Sequence, residues 1–262
     1  TRRQSVICFE DAFHGRTLLG LSLTSKTHPY KIGFEPFASE IYRVPYAYCY
    51  RCSFGKTYPE CGMTCAHHLE EVFKRTVSAE SVAAVIVEPV LGEGGFIAPP
   101  KEFFSVLANI CRKHGILLIA DEVQTGIGRT GTLFACEQFG IEPDLLLAAK
   151  SLGGGLPIAS VTGRAEIMDT PAAGGLGGTF IGNPVSCAAA LATLDVADTA
   201  FCLRAKKLGE EFVRRAQRWQ KEWPIVGAIH GMGAMRAIEL VRDQKTREPN
   251  EAATKHVVRH CY

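Results

Sequence analysis

The stretch DLLLAAKSLGGGLP, residues 144–157, decides the fold that this sequence predicts. Its apolar residues 145–149 form a run typical of a buried strand, and Lys150 ends that run. Upstream, the run ILLIAD at residues 116–121 ends in Asp121 in the same way. A lysine at the end of a buried strand is expected to be partly desolvated, and its amine is therefore expected to be a nucleophile for carbonyl groups.

A strand-end lysine and a strand-end aspartate are the two groups that pyridoxal phosphate needs. The lysine amine binds the cofactor's aldehyde covalently, and the aspartate keeps the pyridine nitrogen protonated. We therefore predict that Lys150 and Asp121 are catalytic. An acidic pair such as Asp121-Glu122 after an apolar strand also occurs in ATPases, where it holds magnesium. That alternative requires a loop in which the lysine follows the glycines, whereas here Lys150 precedes them.

Strand-like and helix-like segments alternate along the chain. The continuous apolar run at residues 82–87 predicts a strand buried on both faces. Residues 101–114 carry apolar side chains at helical spacing, and further strands are predicted at 116–120, 144–149 and 158–162. This alternation predicts an α/β fold with a mostly parallel sheet covered by helices.

The C-terminal part of the sequence predicts two helices and a strand pair. Asn183 is expected to cap a helix that begins at Pro184 and continues to about residue 198. A second helix is predicted at 202–223, followed by strands on either side of residues 231–233. Its predicted apolar stripe is Leu208, Phe212, Ala216, Trp219 and Trp223. We expect two domains, residues 1–198 and residues 199–262, of which the second is only the start of a smaller α+β domain.

Composition excludes several classes of protein. The net charge is +2, with both signs spread along the chain, so neither a nucleic-acid surface nor a basic membrane patch is expected. Apolar runs are too short for a membrane helix. Ten cysteines in an otherwise ordinary composition predict reduced thiols and a cytoplasmic location. The chain starts at Thr1 and stops inside an apparent helix, so we expect a fragment at both ends.

Five segments, in order, resemble the class III aminotransferases, and within that family the 4-aminobutyrate aminotransferases. They are FHGRT (13–17), VEPVLGEGG (87–95), LLIADEVQTGIGRTG (117–131), AAKSLGGGLPI (148–158) and GGLGGTFIGNPV (174–185). The resemblance extends over about two thirds of the chain. It implies the type I fold of pyridoxal-phosphate-dependent transferases, with a large cofactor-binding domain at 1–198.

The resemblance also implies roles for particular residues. Lys150 and Asp121 would bind the cofactor and act in catalysis, and Gln124 would bond the cofactor's phenolic oxygen. Val123 and Phe13 would pack on opposite faces of the cofactor ring.

Two further implications concern the oligomer and the substrate. Thr179 would reach across a subunit interface to the partner's cofactor phosphate, so a homodimer or a larger homo-oligomer is expected. Arg16 would bind the carboxylate distal to the reacting amine, because its planar guanidinium binds carboxylates bidentately. Glu93 would pair with a second substrate-binding arginine. That arginine and the phosphate-binding loop are not found in these 262 residues.

The implied reaction is transamination of an ω-amino acid, with 4-aminobutyrate as the leading amine donor and 2-oxoglutarate as the acceptor. Succinate semialdehyde and glutamate would be the products. Acetylornithine or ornithine aminotransferases and the aminomutases stay open as alternatives within the family. A non-catalytic, metal-stabilised protein of the same fold is a further alternative.

One segment is not explained by this chemistry. CYRCSFGKTYPECGMTC carries Cys49, Cys52, Cys61 and Cys65 in two close pairs. Such pairs can hold a structural zinc ion or an iron–sulfur cluster. The alternative is a set of reduced thiols in a surface loop.

Overall fold

The computed structural model describes residues 2–261; Thr1 and Tyr262, which begin and end the two predicted domains, lie outside the described residues. A six-stranded sheet forms the larger part, with strand order β2-β1-β3-β4-β5-β6. Its strands are β1 (Ser5–Phe9), β2 (Ile41–Val44), β3 (Val82–Val87), β4 (Leu117–Asp121), β5 (Leu145–Ala148) and β6 (Ser160–Gly163). Neighbours pair in parallel, except that β6 is antiparallel to β5. The predicted α/β class with a mostly parallel sheet is therefore confirmed.

Helices cover this sheet and connect its strands. They are α1 (Leu18–Leu23), α2 (Thr64–Arg75), α3 (Lys101–His114), α4 (Cys136–Phe139), α5 (Ala165–Met168), α6 (Pro184–Val196), α7 (Thr199–Glu222) and α8 (Glu251–Cys261). Single 3₁₀ turns occur at Cys49–Arg51, Ala79–Ser81 and Lys150–Gly153.

Helix α3 shows why these segments are helical. Glu102 lies in its first turn and Arg112, Lys113 and His114 in its last, so the charges at both ends oppose the helix dipole. Gly115 ends the helix with φ +62°, a left-handed conformation that favours glycine. Both bounds agree with the sequence prediction.

The main core lies between the sheet and helices α2 and α3. Phe9 of β1 meets the rings of Tyr46 and Phe103 edge to face, with centroids 5.6 Å and 5.8 Å away. Phe103 and Phe104, both on α3, are fully buried. Because β1, β3, β4 and β5 are parallel, their carboxyl ends lie at one edge of the sheet.

Side-chain caps fix the start of the two long C-terminal helices. The Asn183 side chain accepts hydrogen bonds from Val185 N and Ser186 N, which confirms the predicted cap of α6. The Asp198 side chain accepts from Phe201 N, so α7 begins at Thr199, three residues before the predicted start.

The predicted apolar stripe of α7 is wrong in part. Leu208, Trp219 and Trp223 are 63%, 43% and 59% exposed, whereas Gly209 and Ala216 are buried. A Cβ atom on Gly209 would lie 1.7 Å from the carbonyl oxygen of Gly233, so the helix approaches the neighbouring hairpin through backbone contact. The pattern of large apolar residues cannot show a contact face that is made by glycine.

A second, three-stranded sheet contains β7 (Val226–Met232), β8 (Met235–Asp243) and β9 (Glu248–Pro249). A polar cluster around Glu239 is among its contacts with the segment that follows β2. His230 Nε2 lies 2.9 Å from Glu239 Oε2, and the side chains of Tyr48 and Arg51 also contact the Glu239 carboxylate. The division into domains 1–198 and 199–262 stays a prediction.

Within residues 2–261, no single helix is both long and apolar enough to cross a membrane. Helices α6 and α7 taken together satisfy the length and composition requirement, but the chain bends by 71° between them.

Candidate active site

Each of four neighbouring parallel strands has a polar residue at its carboxyl end or shortly after it. His14 follows β1, Glu88 follows β3, Asp121 ends β4 and Lys150 follows β5. Since β1, β3, β4 and β5 are adjacent and parallel, these residues meet at one edge of the sheet. They surround a cavity of about 210 Å³ that is lined by Phe13, His14, Gly15, Glu88, Asp121, Val123, Gln124 and Lys150.

The Asp121 carboxylate is held by two neighbours at the base of this cavity. Its Oδ2 atom lies 2.7 Å from His14 Nδ1, and its Oδ1 atom accepts a hydrogen bond from Val123 N at 3.1 Å. When the Asp121 carboxylate is ionised it can only accept a hydrogen bond, and Nδ1 of His14 is then the donor in this contact. His14 was not singled out from the sequence. Its position next to Phe13 in the FHGRT segment could have indicated that it lies at the site.

Glu88 closes the inner side of the cavity. One carboxylate oxygen accepts a hydrogen bond from Phe13 N and the other from Gly92 N, each at 2.8 Å. Burial raises the pKa of Glu88 to about 7, and the backbone donors and nearby His14 oppose that rise. These two hydrogen bonds hold the backbone of Phe13 and that of Gly92. Gly92 in turn lies against the Gln124 side chain.

Two buried polar atoms at this cavity have no hydrogen-bond partner: Nε2 of His14 and Oε1 of Gln124. Buried polar atoms are nearly always satisfied, so an unsatisfied pair beside one cavity indicates a polar ligand. Lys150 supplies an amine, Asp121 a carboxylate and Gln124 an amide. This set of donors and acceptors fits pyridoxal phosphate.

Lys150 lies just after β5, which ends at Ala148, and it opens the 3₁₀ turn that follows this strand. Its φ of +49° is a left-handed conformation that a residue with a Cβ adopts at a cost. The side chain lines the cavity but is exposed. The predicted partial desolvation of its amine stays a prediction.

The two predicted substrate residues lie outside the cavity and are connected through Tyr30. Arg16 and Glu93 are both exposed. The Cζ atom of Arg16 lies 5.2 Å from the centre of the Tyr30 ring, and the Tyr30 hydroxyl donates a hydrogen bond to Glu93 Oε2 at 3.0 Å. Tyr30 also packs on Phe13, with centroids 5.0 Å apart. No sequence motif pointed to Tyr30.

Thr179 is not brought to the cavity within this chain. It is exposed, and its neighbours Leu176, Phe180 and Ile181 are 77%, 83% and 74% exposed. Its predicted role in a partner subunit stays a prediction.

The four cysteines line one small pocket, with Cys49 exposed and the other three half-buried. No group of three or more histidine, cysteine, aspartate or glutamate side chains across positions 2 to 261 is arranged to hold a metal ion. Burial raises the pKa of Cys49 and raises that of Cys65 to about 11. The predicted zinc or iron–sulfur site is thus not formed in this structure.

Comparisons with known proteins agree with this geometry. The family model described as Aminotransferase class-III matches residues 1–260, and the chain belongs to this family. It is 48% identical over 259 residues to a 4-aminobutyrate aminotransferase of Mycobacterium leprae, covering 98% of this chain and 58% of the relative. It is 44% identical over 259 residues to a 5-aminovalerate aminotransferase of Pseudomonas putida, covering 98% and 59%.

A solved structure supports the same fold. The PLP-bound amine transaminase from an uncultivated Pseudomonas species aligns with a TM-score of 0.89 at 31% identity, over 96% of this chain and 59% of that one. The predicted type I fold is therefore confirmed. The chain spans less than two thirds of the length of these relatives.

Proposed function

We propose that this protein transfers the amino group of an ω-amino acid to a 2-oxo acid, with pyridoxal phosphate as cofactor. One observation carries the proposal: Lys150 and the buried Asp121–His14 pair line the same cavity. When bound, the cofactor supplies an electron sink for the breaking of the substrate's C–H bond. The family of the chain and the PLP-bound structural relative support this choice.

Each residue has a role that follows from its position. Asp121 keeps a positive charge on a ring nitrogen, and His14 holds the Asp121 carboxylate in place. Gln124 lines the cavity, where its amide Nε2 could donate a hydrogen bond to a phenolic oxygen. Phe13 and Val123 line the walls. Nζ of Lys150 would hold the cofactor through its aldehyde carbon. Once freed by the substrate amine, the same amine could take a proton from the substrate carbon that bears the amino group and deliver it to the cofactor carbon.

We propose 4-aminobutyrate as the amine donor, with 2-oxoglutarate as the acceptor. Succinate semialdehyde and glutamate are then the products. A second donor, 5-aminovalerate, is favoured by the relative that carries that name. Both molecules have a terminal amine and a distal carboxylate, and Arg16 is the proposed partner of that carboxylate. Glu93 is the proposed partner of a second substrate-binding arginine.

We also propose that the active form is a homodimer or a larger homo-oligomer in the cytoplasm. Thr179 lies in an exposed segment whose apolar side chains would be covered by a second copy. In that assembly the Thr179 hydroxyl would contact the partner's cofactor phosphate.

The test is the visible absorption spectrum of the protein, expressed from its complete reading frame and loaded with pyridoxal phosphate. We expect 4-aminobutyrate alone to remove the band of the lysine-bound cofactor, and 2-oxoglutarate to restore it. Lys150→Arg should show no such band, whereas Lys56→Arg, at an exposed position, should behave as wild type. A band that persists with every ω-amino acid would refute the proposed donors. Isomerisation of an amine without added oxo acid would favour an aminomutase.

A further inference from the structure

Thr24, the residue that follows α1, binds the backbone of His14 through its side chain. The N–H group of His14 donates a hydrogen bond to Thr24 Oγ1 at 3.0 Å. The hydroxyl hydrogen of Thr24 lies between two carbonyl oxygens, that of Gly20 at 2.9 Å and that of Gly15 at 3.2 Å. Thr24 is fully buried. Its hydroxyl therefore connects the last turn of α1 with the loop that carries the His14 imidazole.

The backbone of this loop is held by side chains. Residues 13–15 lie between β1 and α1 and belong to neither element. Glu88 accepts a hydrogen bond from Phe13 N at 2.8 Å, and Thr24 accepts one from the next amide, His14 N. Side chains at an active site keep their geometry when hydrogen bonds from neighbouring residues hold them. The position of the imidazole therefore depends on these two backbone contacts.

The contact between His14 and Asp121 is sensitive to this position. His14 Nδ1 lies 2.7 Å from Asp121 Oδ2, and both side chains are almost completely buried. Hydrogen bonds weaken steeply when their distance and angle are lost. A displacement of the His14 backbone would therefore weaken the hold on the Asp121 carboxylate, which is the proposed partner of a protonated ring nitrogen.

Gly20 shows how closely α1 approaches the same loop. A Cβ atom at position 20 would lie 2.7 Å from the carbonyl oxygen of His14. The helix and the loop are thus in direct backbone contact, and the Thr24 hydroxyl bonds across this contact. Two features of α1, a hydroxyl and a missing side chain, therefore act on the backbone of His14.

We infer that Thr24 is a positioning residue for cofactor binding, which acts through the N–H group of His14 and keeps the imidazole against Asp121. Thr24 itself is not among the residues that line the cavity. This inference rests on the proposed function and adds to it a residue that influences the ring nitrogen of the cofactor from outside the site.

Thr24→Val tests the inference, because valine has nearly the shape of threonine but lacks the hydroxyl. The backbone hydrogen bond from Ser25 N to Ala12 O, at 2.8 Å, stays and keeps the loop attached to the end of α1. Two dissociation constants are measured by absorption titration of the complete, cofactor-free protein. One ligand is pyridoxal phosphate, and the other is its deaza analogue, in which a C–H group replaces the ring nitrogen.

The two ligands should respond differently to Thr24→Val. We expect the dissociation constant for pyridoxal phosphate to rise ~10-fold, the effect of one lost buried hydrogen bond. The dissociation constant for the deaza analogue should not change, because this ligand has no ring nitrogen for Asp121 to hold. A merely structural loss would weaken the binding of both ligands.

Ser22→Ala is the matched control. The Ser22 hydroxyl is similarly buried in α1, accepts a hydrogen bond from Ala38 N at 2.9 Å and donates one to Leu18 O at 2.6 Å. It thus makes the same kinds of bond as Thr24 but to other segments, and its loss should leave the dissociation constant for pyridoxal phosphate unchanged. Thr24→Ser, which keeps the hydroxyl, should retain most of the affinity.

Two further variants show whether the effect passes through His14. In the His14→Ala background, Thr24→Val should add nothing, because the imidazole through which it acts is gone. Gly20→Ala displaces the His14 carbonyl while Thr24 stays intact. It should weaken the binding of pyridoxal phosphate more than that of the deaza analogue, and it decides the question if Thr24→Val does not fold.

The outcomes distinguish this inference from the proposed function. A wild-type protein that binds no pyridoxal phosphate would refute both. If the wild type binds it and Thr24→Val binds it equally well, the inference alone is overturned. Equal losses for the two ligands, a loss of the same size in Ser22→Ala, or an additive loss in the His14→Ala background would also overturn it.

Discussion

His14 Nδ1 and Asp121 Oδ2 lie 2.7 Å apart, and the two side chains are 1% and 8% exposed. They come from the ends of β1 and β4, which are separated in the sheet by β3. The imidazole is thus the residue that orients a buried carboxylate, on which the charge of the proposed cofactor depends.

Replacing His14 should weaken cofactor binding without removing the cofactor's covalent partner. His14→Ala leaves Asp121 without a charge-assisted hydrogen bond worth about 2 kcal/mol, which corresponds to a ~30-fold change in an equilibrium constant. We expect the dissociation constant for pyridoxal phosphate to rise by that order, and His14→Asn, which retains a donor, to lose less. Titration followed by absorption measures both. The exposed His67→Asn is the control, and equal affinities in His14→Ala and wild type would contradict the assigned role.

Gly92 should be intolerant of a side chain because of Gln124. A Cβ atom at position 92 would lie 2.4 Å from Gln124 Oε1, so Gly92→Ala must displace the amide. We expect weaker cofactor binding, comparable to Gln124→Ala. In the Gln124→Ala background, Gly92→Ala should add little, because the obstructed group is gone. An additive loss in the double variant would show that the glycine matters for another reason.

Glu88 should make the stability of the protein depend on pH. Its pKa is about 7 in the folded chain and 4.5 ordinarily, so between these values the folded state binds more protons than the unfolded state. The free energy of unfolding contributed by Glu88 therefore falls as pH rises from 4.5 to 7. Denaturant titrations at pH 5 and pH 8 should show a smaller fall for Glu88→Gln than for wild type. The same fall in both would contradict the assignment.

Glu239 should stabilise the contact between the second sheet and the segment after β2. Tyr48, Arg51 and His230 all contact its carboxylate. Glu239→Gln leaves the Arg51 guanidinium without its counter-charge and should lower the free energy of unfolding by about 1–3 kcal/mol. Glu248→Gln, which removes only an exposed pair with Arg242 at 3.4 Å, should cost almost nothing. Chemical denaturation measures the free energy of unfolding of both variants. Equal losses in the two variants would contradict this prediction.

Local sequence patterns predicted the elements well and the contacts between them less well. The strand Val82–Val87 and the helix Lys101–His114 were predicted with their observed bounds, because a continuous apolar run and helical spacing are local properties. The positions of Lys150 and Asp121 could be predicted because Asp121 ends one apolar strand and Lys150 follows another. The contact face of α7 could not, because Gly209 makes it with backbone atoms.

Residues that matter through a distant partner were missed for a different reason. Nothing near His14 shows that it meets a residue 107 positions away. Tyr30 lies in an irregular segment between α1 and β2, so no periodicity indicates its contact with Glu93, 63 positions later. The four cysteines show the opposite error. Their spacing suggested a metal site, but spacing along the chain does not state where side chains point.

The parallel order of the sheet has a consequence for how this protein acquires its cofactor site. Antiparallel hairpins can form from adjacent residues, but the Asp121 pocket needs β1, β3, β4 and β5 assembled through long crossovers. The four strands and the residues that line the pocket together extend from Ser5 to Lys150. Cofactor capture during refolding should therefore be a late event, and its rate should follow the assembly of the whole sheet.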